Sequence, residues 1–97
     1  MLEMMRFEWD EKKNVANLHK HSVPFELAEE VFDDPLAVSC QDRHEKGEER
    51  WQTIGMVGRV ILLVAHTYCA GEEEEVIRII SARKATKQER DVYEAGR

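Results

Sequence analysis

Apolar positions along this chain recur at two periods, and the change near Pro35 separates a helical first third from an extended remainder. Phe7-Glu8-Trp9 alternates apolar and polar residues and predicts a short strand or extended lead-in. Asp10 predicts an N-cap, because its carboxylate can accept from unpaired first-turn amides; the helix runs from about Glu11 to Lys20. Val15 and Leu18 form its apolar stripe, with Lys12, Lys13, Asn17 and Lys20 largely off it. Ser22-Val23-Pro24 breaks that helix, and Pro24 fits the first turn of a second one. Phe25, Ala28, Val31 and Phe32 recur at helical spacing and define its buried face. Asp33-Asp34-Pro35 ends it, since a residue before proline avoids the helical region.

Beyond Pro35 the period shortens. Leu36–Cys40 predicts a short strand, and Asp42–Glu49 is polar, with Gly47 as a loop point. Arg50–Met56 alternates and predicts a strand, followed by a tight turn at Val57-Gly58-Arg59. Val60–Thr67, unbroken in its apolar residues as far as Ala65, predicts a central strand covered on both faces. Cys69-Ala70-Gly71 and Glu72–Glu75 predict an exposed turn, and Val76–Ser81 the last strand of a meander. Thr86 followed three residues later by Glu89 is a capping-box pattern opening a final helix. Two N-terminal helices, a four-stranded antiparallel sheet and a C-terminal helix make an α+β fold.

Ninety-seven residues suit one domain over 1–97, with enough buried surface for a modest core without staples. The opening Met1-Leu2-Glu3-Met4-Met5-Arg6 is interrupted by charge and lacks a secretory apolar region. The longest apolar run, Val60 to Ala65, is too short for a membrane span. Cys40 and Cys69 lie far apart, so two free thiols in the cytoplasm are expected. Net charge is −6, the wrong sign for bulk attraction to nucleic acid, but it is unevenly spread. Residues 1–35 carry four Lys/Arg against nine Asp/Glu, residues 36–75 four against eight, and residues 76–97 six against three. An anionic substrate should meet the C-terminal quarter, whereas the acidic remainder suits a basic protein partner.

Several segments together resemble the BrnT family of toxins. They are Phe7-Glu8-Trp9-Asp10, Asn17-Leu18-x-Lys20-His21-x-Val23-x-Phe25, Val31-Phe32-x-Asp34-Pro35, Glu48-Glu49-Arg50, Ile54-Gly55, the block from Ile77 to Thr86, and Glu89-Arg90-x-x-Tyr93-Glu94. The resemblance spans nearly the whole chain and implies a RelE-like fold, a curled antiparallel sheet that carries RNA cleavage. It also implies a ribbon-helix-helix antitoxin (BrnA-like), which would hold DNA on the pair's behalf and repress their promoter. Three positions depart from the family pattern: Ser22 stands where glycine is usual, Pro24 where serine opens the second helix, and Tyr68-Cys69 where an arginine is frequent.

Metal-free RNA cleavage needs a base for the 2′-hydroxyl, an acid for the departing 5′-oxygen, and cations for the phosphoryl oxygens. Arg suits the last role through its planar fork, and Arg78 and Arg83 are the candidates, the second beside the N-terminus of the last helix. The bland alternative for Arg78 is an ion pair with Glu48 or Glu49; for Arg83 it is a surface position. His21, Lys20 and Glu49 are candidates for proton handling or orientation, and Lys84, His66 and Arg50 for further RNA contact. His21 could equally cap the first helix, and His66 could equally be a half-buried structural histidine. No Cys/His cluster or helical His pair has metal-ligand spacing, so neither metal nor cofactor is expected. Two readings stand: a ribonuclease toxin neutralised by its antitoxin, or a catalytically idle antitoxin-binding module acting only in a repressor complex.

Overall fold

The computed structural model describes residues 4–45 and 48–96, with side chains for all of these but 43, 44, 45 and 48. Strand β1 (Met4–Glu8) leads into helix α1 (Glu11–His21) and a single helical turn α2 (Phe25–Ala28), continued by a 3-10 segment, Glu29–Asp33. Strands β2 (Val38–Glu45), β3 (Glu48–Val57), β4 (Val60–Ala70) and β5 (Glu74–Lys84) follow, then helix α3 (Lys87–Ala95). The class is α+β, but the sheet has five strands and is mixed, not four and antiparallel. Its order is β1-β5-β4-β3-β2, and β1 pairs with β5 in parallel, Glu8 opposite Arg78. The alternation at Phe7 and Glu8 therefore marks a true edge strand. Its partner lies about 70 residues downstream, and the intervening chain supplies the crossover that a parallel pair requires.

The strands also run longer than apolar alternation alone suggests. Asp42–Glu45 and Glu48–Glu49, read as loop, extend the β2–β3 hairpin, while Gly47 lies outside the described residues. Glu74 and Glu75, read as turn, begin β5. The two-residue turn at Gly58-Arg59 has positive φ (62°) only at its first position, where glycine suffers no Cβ clash.

One sheet face lies under the N-terminal segments and holds the main core: Val23, Phe25, Ala28, Val31, Leu62, Val64, Ile77, Ile79 and Ala82, flanked by Phe7, Trp9 and Phe32. The second helix was expected to run unbroken to Phe32. It tightens to 3-10 after Ala28, yet the face set by Phe25, Ala28 and Val31 is buried as its spacing implied. Tyr93 of α3 covers Ile54 and Leu63 on the opposite face, and its hydroxyl donates to Asp34.

Helix α1 reverses its expected stripe. Val15 and Leu18 are about half exposed (51% and 47%), whereas Asn14 and Asn17 are buried. Beyond Arg78 the outer edge of β5 has no strand partner among the described residues, and α1 lies against it there. Asn17 Nδ2 donates to the carbonyls of Ala82 and Val23 (2.8 Å each), and its Oδ1 accepts from Ala82 N–H (3.2 Å). The side-chain amide thus stands in for a missing strand, satisfying groups that would otherwise be buried unpaired.

Ser22 closes α1 in the left-handed conformation, φ 60°. A Cβ is unfavourable there, and glycine is the usual solution. Ser22→Gly should therefore stabilise the protein by about 0.5–1 kcal/mol, read as a higher denaturant midpoint at unchanged slope. An unchanged or lower midpoint would show that the serine side chain offsets its strain.

Candidate RNA-cleaving face

Residues opposite one another on neighbouring strands project from the same face. The register places Glu8, Arg78, Thr67 and Arg50 in one row across β1, β5, β4 and β3: Glu8 faces Arg78, Arg78 faces Thr67, and Thr67 faces Arg50. The row lies on the face opposite the main core, since Phe7, Ile77 and Ile79, which alternate with its members, are core residues. Arg50 and Arg78 stand two strand spacings apart, about 10 Å between backbones. The backbone of Arg43 on β2 continues the row opposite Arg50.

Arg78 is half exposed, and its Nη1 donates to Glu8 Oε2 at 2.9 Å. The structure pairs it with Glu8; of the two partners the sequence suggested, Glu49 alternates with Arg50 onto the other side of β3, and the side chain of Glu48 lies outside the described residues. The arrangement leaves a guanidinium beside a carboxylate on an open face, a cation for phosphoryl oxygens next to a proton acceptor. Arg50 Nε is buried with no acceptor among the described residues. A donor of a charged group left in this state costs about 1–3 kcal/mol.

Arg83 projects from this same face but is engaged elsewhere. Its Nη1 and Nη2 donate to the two carboxylate oxygens of Glu89 at 2.7 and 2.9 Å. Glu89 also accepts from Thr86 N–H, and Thr86 Oγ1 accepts from Glu89 N–H, completing the expected capping box. A resident carboxylate thus occupies the helix N-terminus where a phosphate was expected. The Arg83 fork holds the Glu89 carboxyl down to about 2 from its ordinary 4.5, and Arg83 is itself raised, chiefly by that hydrogen bond. A carboxyl depressed in the folded state stabilises above its unfolded value and loses that contribution as pH falls through the folded one. The advantage of wild type over Glu89→Gln, about 1–2 kcal/mol near neutrality, should vanish between roughly pH 4.5 and 2. Urea unfolding across that range checks it; a difference independent of pH would contradict the ion pair.

The other expected site residues are scattered. His66 is buried on the core face, its ring edge-on to Phe32 (centroids 4.9 Å apart). Its Nδ1 meets the Thr67 carbonyl, which can only accept, so Nε2 accepts from the Thr53 hydroxyl at 2.7 Å, which in turn accepts from Ser39. Burial lowers the His66 pKa, keeping the ring neutral. The structure does not bring His66 to the arginine row. Glu49 alternates with Arg50 and so also projects from the core side. Lys84 is exposed at the end of β5, opposite Leu62. Lys20 and His21, in the last turn of α1, share a shallow pocket of about 230 Å³ with Lys13, Ile80 and Ser81. Ser81 follows Arg78 along β5 after a bulge, so this basic pocket flanks the row.

Glu8 and Thr67 were missed from sequence. Nothing local marks them; only the parallel pairing of β1 and the register of β4 bring them to Arg78. Among the described residues no group of His, Cys, Asp and Glu is arranged to hold a metal ion, and no helix is long and apolar enough to cross a membrane. Both cysteines are exposed and unpaired.

The sequence profile described as "Ribonuclease toxin, BrnT, of type II toxin-antitoxin system" matches residues 9–89. No curated protein matches the chain. With that match over most of its length, and a sheet face bearing Arg50 and Arg78 beside Glu8, the chain belongs to the BrnT family of ribonuclease toxins of type II toxin–antitoxin systems.

Proposed function

We infer that this protein is an endoribonuclease that cuts RNA without a metal ion, with the Glu8–Arg78–Thr67–Arg50 row as its phosphate site. The observation that carries the reading is the row itself: two arginines and one carboxylate aligned on the sheet face away from the main core, beyond the part that Tyr93 covers, in an otherwise acidic protein. Glu8 takes the proton of the 2′-hydroxyl as its oxygen bonds to phosphorus. Arg78 and Arg50 neutralise the charge that grows on the phosphoryl oxygens. As the bond to the 5′-oxygen breaks, Lys20 or His21 on the flank returns a proton to it. The products are a 2′,3′-cyclic phosphate and a 5′-hydroxyl. Arg83 and Glu89 anchor α3 and act on this face by holding its border.

A cognate BrnA-like antitoxin of the ribbon-helix-helix type would neutralise the toxin and carry the pair to DNA. The idle-module reading draws support from Tyr68, which stands where the family often has an arginine. Its ring packs toward the core and its hydroxyl donates to Glu75, so no cation joins the row from this end of β4.

Expression of the chain alone in bacteria separates the two readings. Growth arrest with loss of mRNA is expected, relieved by the small protein encoded beside it. Normal growth and intact mRNA at comparable protein levels would favour the idle module.

A further inference from the structure

The core side of the sheet carries a second feature that RNA cleavage does not use. Phe32, Trp51, His66, Tyr68 and Ile77, with Ser39 at the margin, line an apolar pocket of about 270 Å³. Its polar groups are nearly all committed: Ser39 to Thr53, Thr53 to His66, His66 to the Thr67 carbonyl, and Tyr68 to Glu75. The exception is the indole N–H of Trp51, which is buried with no acceptor among the described residues. Ser39 belongs to β2, an edge strand whose outer side, over Val38–Gln41, has no strand partner among the described residues. An aromatic pocket, an orphaned donor and an open strand edge therefore meet at one place.

The surroundings select the occupant. Glu49 and Glu75 alternate with Trp51 and Ile77 in the same directions, so both carboxylates border this side. Residues 21–42, which supply Phe32 and Ser39, contain six Asp/Glu and no Lys or Arg. Phosphates are repelled here, and the arginine row lies on the other face. A positively charged protein segment is attracted.

We propose that the pocket and the β2 edge form the docking site for an extended, basic segment of the antitoxin, which pairs with Val38–Gln41 and seats an apolar side chain between Phe32 and Trp51. Strand addition supplies main-chain hydrogen bonds, the pocket supplies selectivity, and an acceptor on the segment meets the Trp51 N–H. The proposal rests on the toxin–antitoxin reading.

The test is titration calorimetry of the full chain with the protein encoded beside it, using wild type, Trp51→Phe and Ser39→Arg, with thermal midpoints and RNA cleavage measured in parallel. Trp51→Phe removes the donor and keeps the ring, and should weaken binding roughly tenfold. Ser39→Arg places bulk and positive charge at the pocket mouth and should weaken it at least about a hundredfold. Cleavage should not change, because neither residue belongs to the arginine row. Hydrogen exchange on the wild-type complex should show the amides of Val38–Gln41 slowed. Unaltered affinity in both variants, or unslowed exchange at β2 in a complex that forms, overturns the docking site alone. Loss of RNA affinity instead of antitoxin affinity assigns the pocket to RNA and also overturns it. A wild-type protein that binds no such neighbour removes the pairing, and the docking site with it.

Discussion

Arg78→Ala should slow RNA cleavage by about 100- to 1,000-fold, the usual effect of losing one preorganised stabiliser of transition-state charge. The fold should hardly register the change. Arg78 and Glu8 are both more than a third exposed, so their ion pair contributes at most about 1 kcal/mol. Arg50→Ala should reduce cleavage comparably, and it should not destabilise, because its Nε has no acceptor to lose among the described residues. Arg83→Ala is the informative contrast. Loss of the two-pronged contact to Glu89 loosens α3, so the thermal midpoint should fall by at least about 4 °C. Arg90→Ala, at an exposed position of α3 whose Nη1 donates to the Ala85 carbonyl and not to the row, serves as the active control. Cleavage rates and melting curves on the four variants check the set. An Arg78→Ala protein that unfolds would make the ion pair structural; one that cuts at the wild-type rate would place the phosphate site elsewhere.

Asn17→Leu should destabilise the protein by about 3–5 kcal/mol, although leucine is the better helix former and the more hydrophobic residue. The Asn17 amide serves the N–H and carbonyl of Ala82 and the carbonyl of Val23, all in buried contacts. Leucine would leave all three unpaired, each at a cost of about 1–3 kcal/mol, offset in part by its own burial. Val15→Lys, on the exposed side of the same helix, should change stability by no more than about 0.5 kcal/mol. Chemical denaturation of both variants measures the difference. Equal stabilities would show that α1 docks by its apolar stripe after all.

These two results bear on what the amino-acid pattern could reveal. The helix caps at Asp10 and Thr86, the buried face of Phe25, Ala28 and Val31, and the central place of β4 were legible, because each follows from local periodicity or capping chemistry. The inward face of α1 was not. Periodicity assumes that helices dock by apolar contact, and this one docks by an amide bonded to a sheet edge. Asp42–Glu45 read as loop because this part of the hairpin is polar, without the alternation that burial of one face produces. Arg78 could be picked out as a charge among isoleucines, but Glu8 and Thr67 could not, since their relation to it exists only in the cross-strand register. Arg83 looked free because its partner, Glu89, also fitted a capping box, and one carboxylate performs both tasks.

The central claim is that this face cuts RNA through its own side chains. The most direct measurement is incubation of the purified protein with a defined RNA in excess chelator, followed by identification of the new ends. Cleavage that persists, leaves 2′,3′-cyclic phosphate and 5′-hydroxyl termini, and disappears in Arg78→Ala is the predicted result. Cleavage that stops in chelator and returns with magnesium, or that leaves 5′-phosphate ends, would contradict the mechanism.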